Sequence, residues 1–439
     1  MSSSTPQNPI GGSTHVAPPS TRDQGRQLRV LHVLDHSRPI SSGYSIRSQD
    51  LITAQRQMGF DVEVLTGPLH SIDDPDPSDA TIDGILYRRT PFPQGFRKRA
   101  AEMRVPMLRE FAVVERLRKR ILEILDAQDF DIVHAHSPAL CGLAATQGTR
   151  LKRIPFVYEI RAFWEDAAVD QKKTGVWSPR YHASRHLEGY VARRADAVVG
   201  ITHHILEDLR ERKIDSKKLF FVPNGVSSKW FTAGSRDIQL AAQLVLSNKP
   251  VLGFIGSLYR YEGISWLIRA GANLRGKGVQ FQMLIVGQGE DMSEIQAAIK
   301  DSHAQDYVTI AGQIPHDKVK SYYSLMDVVV YPRRSVRLTE CTMPLKPLEA
   351  MAQGKAVLAS DVGGIRELLE PEIPCLLFKP NDMEDFCNKA KLLITDERFR
   401  QELGERGRQM ASREKNWDLV GQRYRAVYEY AMNNPRYAR

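Results

Sequence analysis

Short apolar runs rich in Val, Ile and Leu recur along this chain, each followed by a loop and a stretch with helical spacing, and the series stops once near the middle before restarting. That alternation restricts the fold more than any other feature. Leu28 to Asp35 (LRVLHVLD) runs through a loop of Pro, Ser and Gly into a helical stretch from about Tyr44 to Met58. Further runs lie at Val62 to Leu65, Ile132 to His134, Phe156 to Ile160, Ala197 to Ile201 and Leu219 to Val222. Strands separated by helices are joined by crossovers and pair in parallel, as in a doubly wound Rossmann-like sheet. At Val222 to Val226 (VPNGV) a Pro-Asn-Gly turn halts the series, and a polar stretch runs to about Lys249. The series then restarts at Pro250 to Ile255, Gln282 to Val286, Val308 to Ala311, Val328 to Tyr331 and Ala356 to Ala359. The expected fold class is α/β, with two Rossmann-like doubly wound parallel-sheet domains facing across a cleft. The expected boundaries are a disordered tail over 1–27, a first domain over 28–226, a linker over 227–249, a second domain over 250–412 and a C-terminal helix over 413–439 that packs back on the first domain.

A chain of 439 residues, 42% hydrophobic and 26% charged, can bury two cores, and no apolar run approaches the roughly 18 residues of a membrane span. Its Ser- and Pro-rich start lacks the apolar stretch of a secretory signal. The four cysteines, Cys141, Cys341, Cys375 and Cys387, lack metal-ligand spacing and read as free packing thiols, which suits a cytoplasmic location. A net charge of +9 favours anionic ligands or surfaces. Arg97, Lys98, Arg99, Arg104, Arg109, Arg116, Arg118, Lys119 and Arg120 crowd one segment, with Met107, Phe111, Val114, Leu117, Ile121 and Ile124 at helical spacing. The segment reads as an amphipathic helix packed on its own domain, with peripheral contact to the inner membrane surface as the second reading. No RNA-module motif accompanies it, so nucleic acid is not an expected partner. Asp73 to Asp79 (DDPDPSD) offers carboxylates in a polar loop and reads as solvated, and no metal site is expected.

Candidate binding groups follow from position. Gly43 lies in the loop after the first strand, where a missing side chain lets backbone approach a phosphate. His134 and His136, two apart on a strand, face the same way. In YEIRAFWED, Glu159, Arg161, Trp164 and Glu165 close a strand and enter its loop. Around Met343 to Pro347 the sequence MPLKP starts a helix, since proline is tolerated in a first turn. Lys346 and Glu349, three apart, then share one face.

GSLYRYEGISWLIRA (Gly256 to Ala270), LIVGQGE (Leu284 to Glu290), the segment Ile310 to Pro332 and that from Thr339 to Leu369 arrive in an order and spacing that resemble the retaining family 4 glycosyltransferases of the GT-B fold. In the first half SSGYSIRSQDL, DIVHAHSPAL, VYEIRAFWEDAAVD and VPNGV extend the resemblance, and its details look like the bacterial branch associated with exosortase-linked exopolysaccharide clusters. The resemblance implies a nucleotide-sugar donor, which is a substrate rather than a cofactor, and a saccharide or lipid-linked acceptor held by the first domain. It implies that Glu349 binds ribose, that Glu340 contacts the transferred sugar and that Lys346 holds donor phosphate. Leu348 and Pro347 belong to the same donor block, with Gly287, Gly289 and Gln313 bordering the base. His136 is expected at the sugar or the reacting centre, and Arg161 and Trp164 at the acceptor.

Two departures stand out. Eight residues separate Glu340 and Glu349 where the family has seven, and Cys341 fills the expected position. In the Gly256 to Gly263 block, Ser257 and Glu262 replace the usual Arg and Lys. Losing both would forfeit charge-assisted bonds to the diphosphate, so other cations must serve. Arg260, Arg333, Arg334 and Arg337 are the nearby candidates, with Lys346 first and Arg334 second. The expected activity is retaining hexosyl transfer from a UDP- or GDP-type sugar without a metal. A nucleotide-sugar epimerase and a non-catalytic sugar-nucleotide or polysaccharide sensor are the alternatives.

Overall fold

The apolar runs become the strands of two separate sheets. The structure is a computed structural model that describes residues 27–40, 42–70, 78–92, 108–232, 234–369 and 375–436. The N-terminal tail and the first half of the basic segment, Arg97 to Met107, lie outside the described residues, as do Asp73 and Asp76.

The first unit runs β1 (Arg29–Leu34), α1 (Gly43–Gln57), β2 (Asp61–Thr66), β3 (Ala80–Ile82), β4 (Ile85–Arg88), α2 (Leu108–Ala127), β5 (Ile132–His136) and α3 (Ala139–Lys152). It continues with β6 (Phe156–Ile160), α4 (Trp164–Asp170), α5 (Pro179–Arg194), β7 (Ala197–Gly200), α6 (His203–Glu211) and β8 (Leu219–Phe221). The sheet order is β3-β4-β2-β1-β5-β6-β7-β8. All neighbours are parallel except β3 and β4, a hairpin turned by Asp83 and Gly84, both at positive φ. Register then sets chemistry side by side. His32 on β1 pairs with His134 on β5, and His136 pairs with Glu159 on β6.

The second unit runs α7 (Ile238–Gln243), β9 (Val251–Ile255), α8 (Ile264–Gly276), β10 (Gln282–Val286), α9 (Met292–Asp301), β11 (Val308–Gly312), α10 (Val319–Leu325) and β12 (Val328–Tyr331). It ends with α11 (Arg337–Cys341), α12 (Lys346–Ala352), β13 (Ala356–Ser360), α13 (Gly363–Leu369), β14 (Leu376–Phe378), α14 (Met383–Thr395), α15 (Glu397–Glu414) and α16 (Trp417–Asn433). Its order is β11-β10-β9-β12-β13-β14, parallel throughout. These strands are near-continuous Val, Ile and Leu because helices cover both faces.

Helix α16 packs on the first sheet. Asn416 caps its start, and Trp417, Val420, Tyr424, Val427, Tyr428 and Ala431 fall three or four apart on one face, all buried against β1, β2 and β5 to β7 residues. Each large side chain so buried contributes about 1.5–3 kcal/mol. The chain re-enters the first unit where Val226 bridges Asn416.

Helix α2 buries Val114, Leu117, Ile121 and Ile124, but Phe111 is 70% exposed, departing from the expected apolar stripe at its first turn. Arg118 and Arg120 on its outer side pair with Glu115 and Glu123. The four cysteines are buried free thiols. Among the described residues no helix is long and apolar enough to cross a membrane.

Candidate active site

The two units meet along the carboxyl ends of their strands, where open α/β sheets bind ligands. On the second unit the strand ends are kept bare by glycine. A Cβ on Gly287 would lie 1.8 Å from the Gly256 carbonyl oxygen, and one on Gly256 would lie 1.9 Å from Lys346 Nζ. Lys346, in the first turn of α12, therefore lies across the end of β9. Its Nζ sits 5.3 Å from the Phe254 ring centroid and 3.4 Å from Glu262. Glu262 is 1% exposed and grips Arg333 through Nε at 3.1 Å and Nη2 at 2.9 Å. Burial pushes its carboxyl up, but Arg333 and Lys346 outweigh that and hold it below the usual range. Two cations thus converge on the carboxylate of the Gly256 to Gly263 block: Arg333 from the end of β12 and Lys346 from α12.

The remaining donor-side candidates surround this centre. Ser257 is exposed, Arg260 opens a short 3-10 turn, Gln313 is exposed beyond β11, and Arg334 is exposed with its backbone N–H donated to Tyr261 O at 2.9 Å. Pro347 and Leu348 are buried in α12. Glu349, on the same helix, is raised to about 7, first by burial and then by Asp50 of α1, with Lys346 and Lys229 opposing. Glu340 accepts from Ser335 Oγ at 2.7 Å and from the Gly363 N–H at 2.6 Å. Cys341 is buried and offers its carbonyl to Thr202 of the first unit at 2.8 Å. Arg337 ion-pairs with Asp166 and Asp208 of the first unit, so its charge ties the units together.

Asp170, which the sequence reading did not single out, ends α4 on the opposite wall. Burial raises its pKa most, Arg334 lowers it, Glu290 raises it and Arg260 lowers it, so it lies within electrostatic reach of the second unit's charges. Its only sequence signal was its place as the last residue of VYEIRAFWEDAAVD.

Gly43 begins α1 on the first unit, beside the capping side chain of Ser42, and a Cβ there would meet nothing within 4 Å. That open space leaves room for a ligand. Beneath it, His136 and Arg161 lie in the interior, 0% and 7% exposed. Arginine can only donate, which fixes the protons of its partners. Arg161 Nη2 donates to His136 Nδ1 at 2.7 Å, so the His136 proton is on Nε2 and goes to His32 Nδ1 at 2.8 Å. His32 Nε2 then donates to Gln55 Oε1 at 2.7 Å, Gln55 Nε2 to Tyr428 OH at 2.8 Å, and that hydroxyl to His134 Nδ1 at 2.9 Å. His134 Nε2 faces Glu159 Oε2 at 3.5 Å, and Glu159 Oε1 accepts from Arg161 Nε at 2.8 Å, which closes a ring. All three histidines are neutral in this assignment. Burial, the largest influence on each, pushes their pKa values down, and Arg161 lowers all three further.

The ring nitrogens of His32, His134 and His136 lie within 4.8 Å of one another, close enough to invite comparison with a metal cage. Two imidazoles on one zinc, each bonded at about 2.0–2.1 Å, need more separation than the 2.8 Å, proton-bridged contact between His32 and His136. The arrangement is a hydrogen-bonded row. Arg161 also donates from Nη1 to Tyr44 O at 3.2 Å and Ser48 Oγ at 2.7 Å, so each of its nitrogens has a protein partner. Trp164, 42% exposed at the start of α4, is the acceptor-side candidate that reaches solvent.

Residues 42–225 match the family described as glycosyl transferase 4-like domain, and residues 235–410 match glycosyl transferases group 1. A GDP-mannose-dependent alpha-mannosyltransferase of Mycolicibacterium smegmatis is 25% identical over 90% of this chain and 95% of its own length. Alpha-D-kanosaminyltransferase of Streptomyces kanamyceticus is 23% identical over 72% of this chain and 80% of its own. Sucrose-phosphate synthase from Thermosynechococcus elongatus superposes with a TM-score of 0.73 at 22% identity, covering 92% of this chain and 98% of that one. Anabaena HepE, solved with UDP-glucose, gives 0.68 at 18% identity over 91% and 98%. With a 4-like domain followed by a group 1 domain across a shared cleft, the chain belongs to the glycosyltransferases of GT-B fold.

Proposed function

We propose that this glycosyltransferase moves a hexose, with retention, from a UDP- or GDP-type sugar to a saccharide or lipid-linked acceptor in bacterial exopolysaccharide synthesis. The observation that carries the donor side is the Lys346 ammonium laid over Gly256 at the end of β9, with Arg333 sharing its Glu262 partner. Donor chemistry of both base types occurs among similar proteins, in the GDP-mannose-dependent mannosyltransferase and in HepE with UDP-glucose.

In this reading Lys346, Arg334 and Arg260 meet the growing charge on the leaving diphosphate, where fixed cations stabilise a transition state most. Ionised Glu349 accepts from ribose hydroxyls, and Glu340 contacts the transferred sugar. The acceptor hydroxyl attacks from the face the diphosphate leaves, and a phosphate oxygen takes its proton, so no paired carboxylates are needed. No cofactor or metal is required beyond the donor, and activity persists in a chelator. The net positive charge of the chain supports work at the cytoplasmic face of the inner membrane, where a lipid-linked acceptor would be presented.

Incubation with candidate donors, with and without saccharide acceptors, tests the reading. Acceptor-dependent nucleotide release is expected. Epimerised donor in the absence of acceptor, or tight donor binding with no turnover across the panel, would overturn it in favour of an epimerase or a sensor.

A further inference from the structure

Glu159 sits at the centre of the first unit, 0% exposed, and accepts from three groups on three elements. Arg161 Nε comes from the loop after β6 at 2.8 Å, Arg47 Nη1 from α1 and Tyr424 OH from α16, while His134 Nε2 faces the carboxylate from β5 at 3.5 Å. A buried carboxylate costs several kcal/mol in desolvation unless it is paired and bonded on every side. Two arginines, a tyrosine and the histidine row supply that here, and the Glu159 carboxyl is held well below the usual range although burial pushes it up.

The contacts do not stop inside the domain. Arg47, held by Glu159 at one end of its guanidinium, donates from Nε to Asn224 Oδ1 at 2.5 Å. Asn224 lies in VPNGV, the segment that leaves the first sheet. Its Nδ2 donates to the Met343 carbonyl at 2.8 Å, and its backbone N–H points at Met343 Sδ at 3.4 Å. Met343 is three residues before Lys346. From the same hub, Arg161 fixes the Tyr44 carbonyl, one residue past Gly43. One carboxylate therefore sets both lips of the cleft: the start of α1 through Arg161, and the segment leading into α12 through Arg47 and Asn224.

We propose that Glu159 is a positioning residue that registers the donor segment Met343–Lys346 against the start of α1, through the relay Glu159, Arg47, Asn224 and the Met343 carbonyl. The inference rests on the transfer reading for its catalytic consequence, but the relay itself is a property of the fold. Glu159 touches no substrate in this account. It acts by holding two other elements in place, which is how a group remote from the reacting atoms changes a rate.

The experiment compares the full-length protein with Glu159→Gln and Asn224→Ala by hydrogen exchange, by calorimetry with UDP and GDP, and by steady-state turnover. Asn224→Ala removes the relay while leaving Glu159 with its own donors and Arg47 with its Glu159 ion pair, so it remains informative if Glu159→Gln folds poorly. Expected are at least tenfold faster exchange in the backbone over 343–349, on the far unit, a tenfold or larger fall in kcat, and nucleotide Kd within about threefold of wild type. Unchanged exchange over 343–349 in the Asn224→Ala protein would overturn the proposal, as would a loss in which nucleotide affinity falls as far as kcat. A wild-type protein that transfers no sugar would sink the transfer reading, while the exchange comparison still decides whether the relay exists.

Discussion

The two walls of the cleft place the charges nearest their openings differently. On the first unit Arg47, Glu159 and Arg161 are buried, bonded to one another and to neutral histidines, and closed off by α16. On the second, Lys346 is half-buried and Arg334 exposed, beside glycines that keep the strand ends bare. Charges enclosed by protein partners define architecture, and charges left facing an open strand end are available to a ligand. The difference explains why residues of similar type, marked out by the same resemblance, end in different roles.

The strongest way to break that contrast is to unbalance the interior wall. Replacing Arg161 by Met takes the donor from His136 Nδ1 and one of three from buried Glu159, and is expected to cost about 3–5 kcal/mol, seen as a lower urea midpoint, because removing one member of a buried charge network leaves the others undercompensated. Retention of wild-type stability would mean that the network is not structural. On the open wall, Lys346→Ala leaves Glu262 paired with Arg333, so stability should change far less.

A smaller effect sharpens the contrast at Glu349. Its pKa is raised to about 7, so the folded chain holds that proton well above the ordinary glutamate range. As pH rises toward and through 7, the native state loses a proton that the unfolded chain has already released, and this residue's contribution to stability falls. The carboxylate formed is the species that ribose hydroxyls bind. Nucleotide affinity is therefore expected to strengthen by roughly threefold to tenfold between about pH 6 and pH 8, and Glu349→Gln should flatten the profile. A pH-independent affinity in the unmutated protein would remove Glu349 from the donor site.

Much of the fold was legible because parallel strands covered on both faces must be apolar throughout, and each is followed by helical spacing. The hairpin Ala80–Ile82 with Ile85–Arg88 escaped because its first strand has three residues, although Asp83-Gly84 carries the turn signal. That Lys346 and Glu349 share one helix was legible from their spacing. The fate of His136 and Arg161 could not, because it depends on Gln55, Tyr424 and Tyr428, which lie on α1 and α16 and meet β5 and β6 only when the chain's last helix docks on the first sheet. Arg333 was one of several candidate cations until Glu262, 71 residues away, was seen to hold it. Burial of a charge is decided by partners, and partners distant in sequence leave no periodic signal.

The most direct test of the contrast is calorimetric binding of UDP- and GDP-sugars to the Lys346→Ala, Arg334→Ala double variant. The account predicts a donor Kd at least tenfold weaker than wild type, a loss of about 1.4 kcal/mol or more, with the fold intact. Unchanged donor binding in a folded double variant would contradict it.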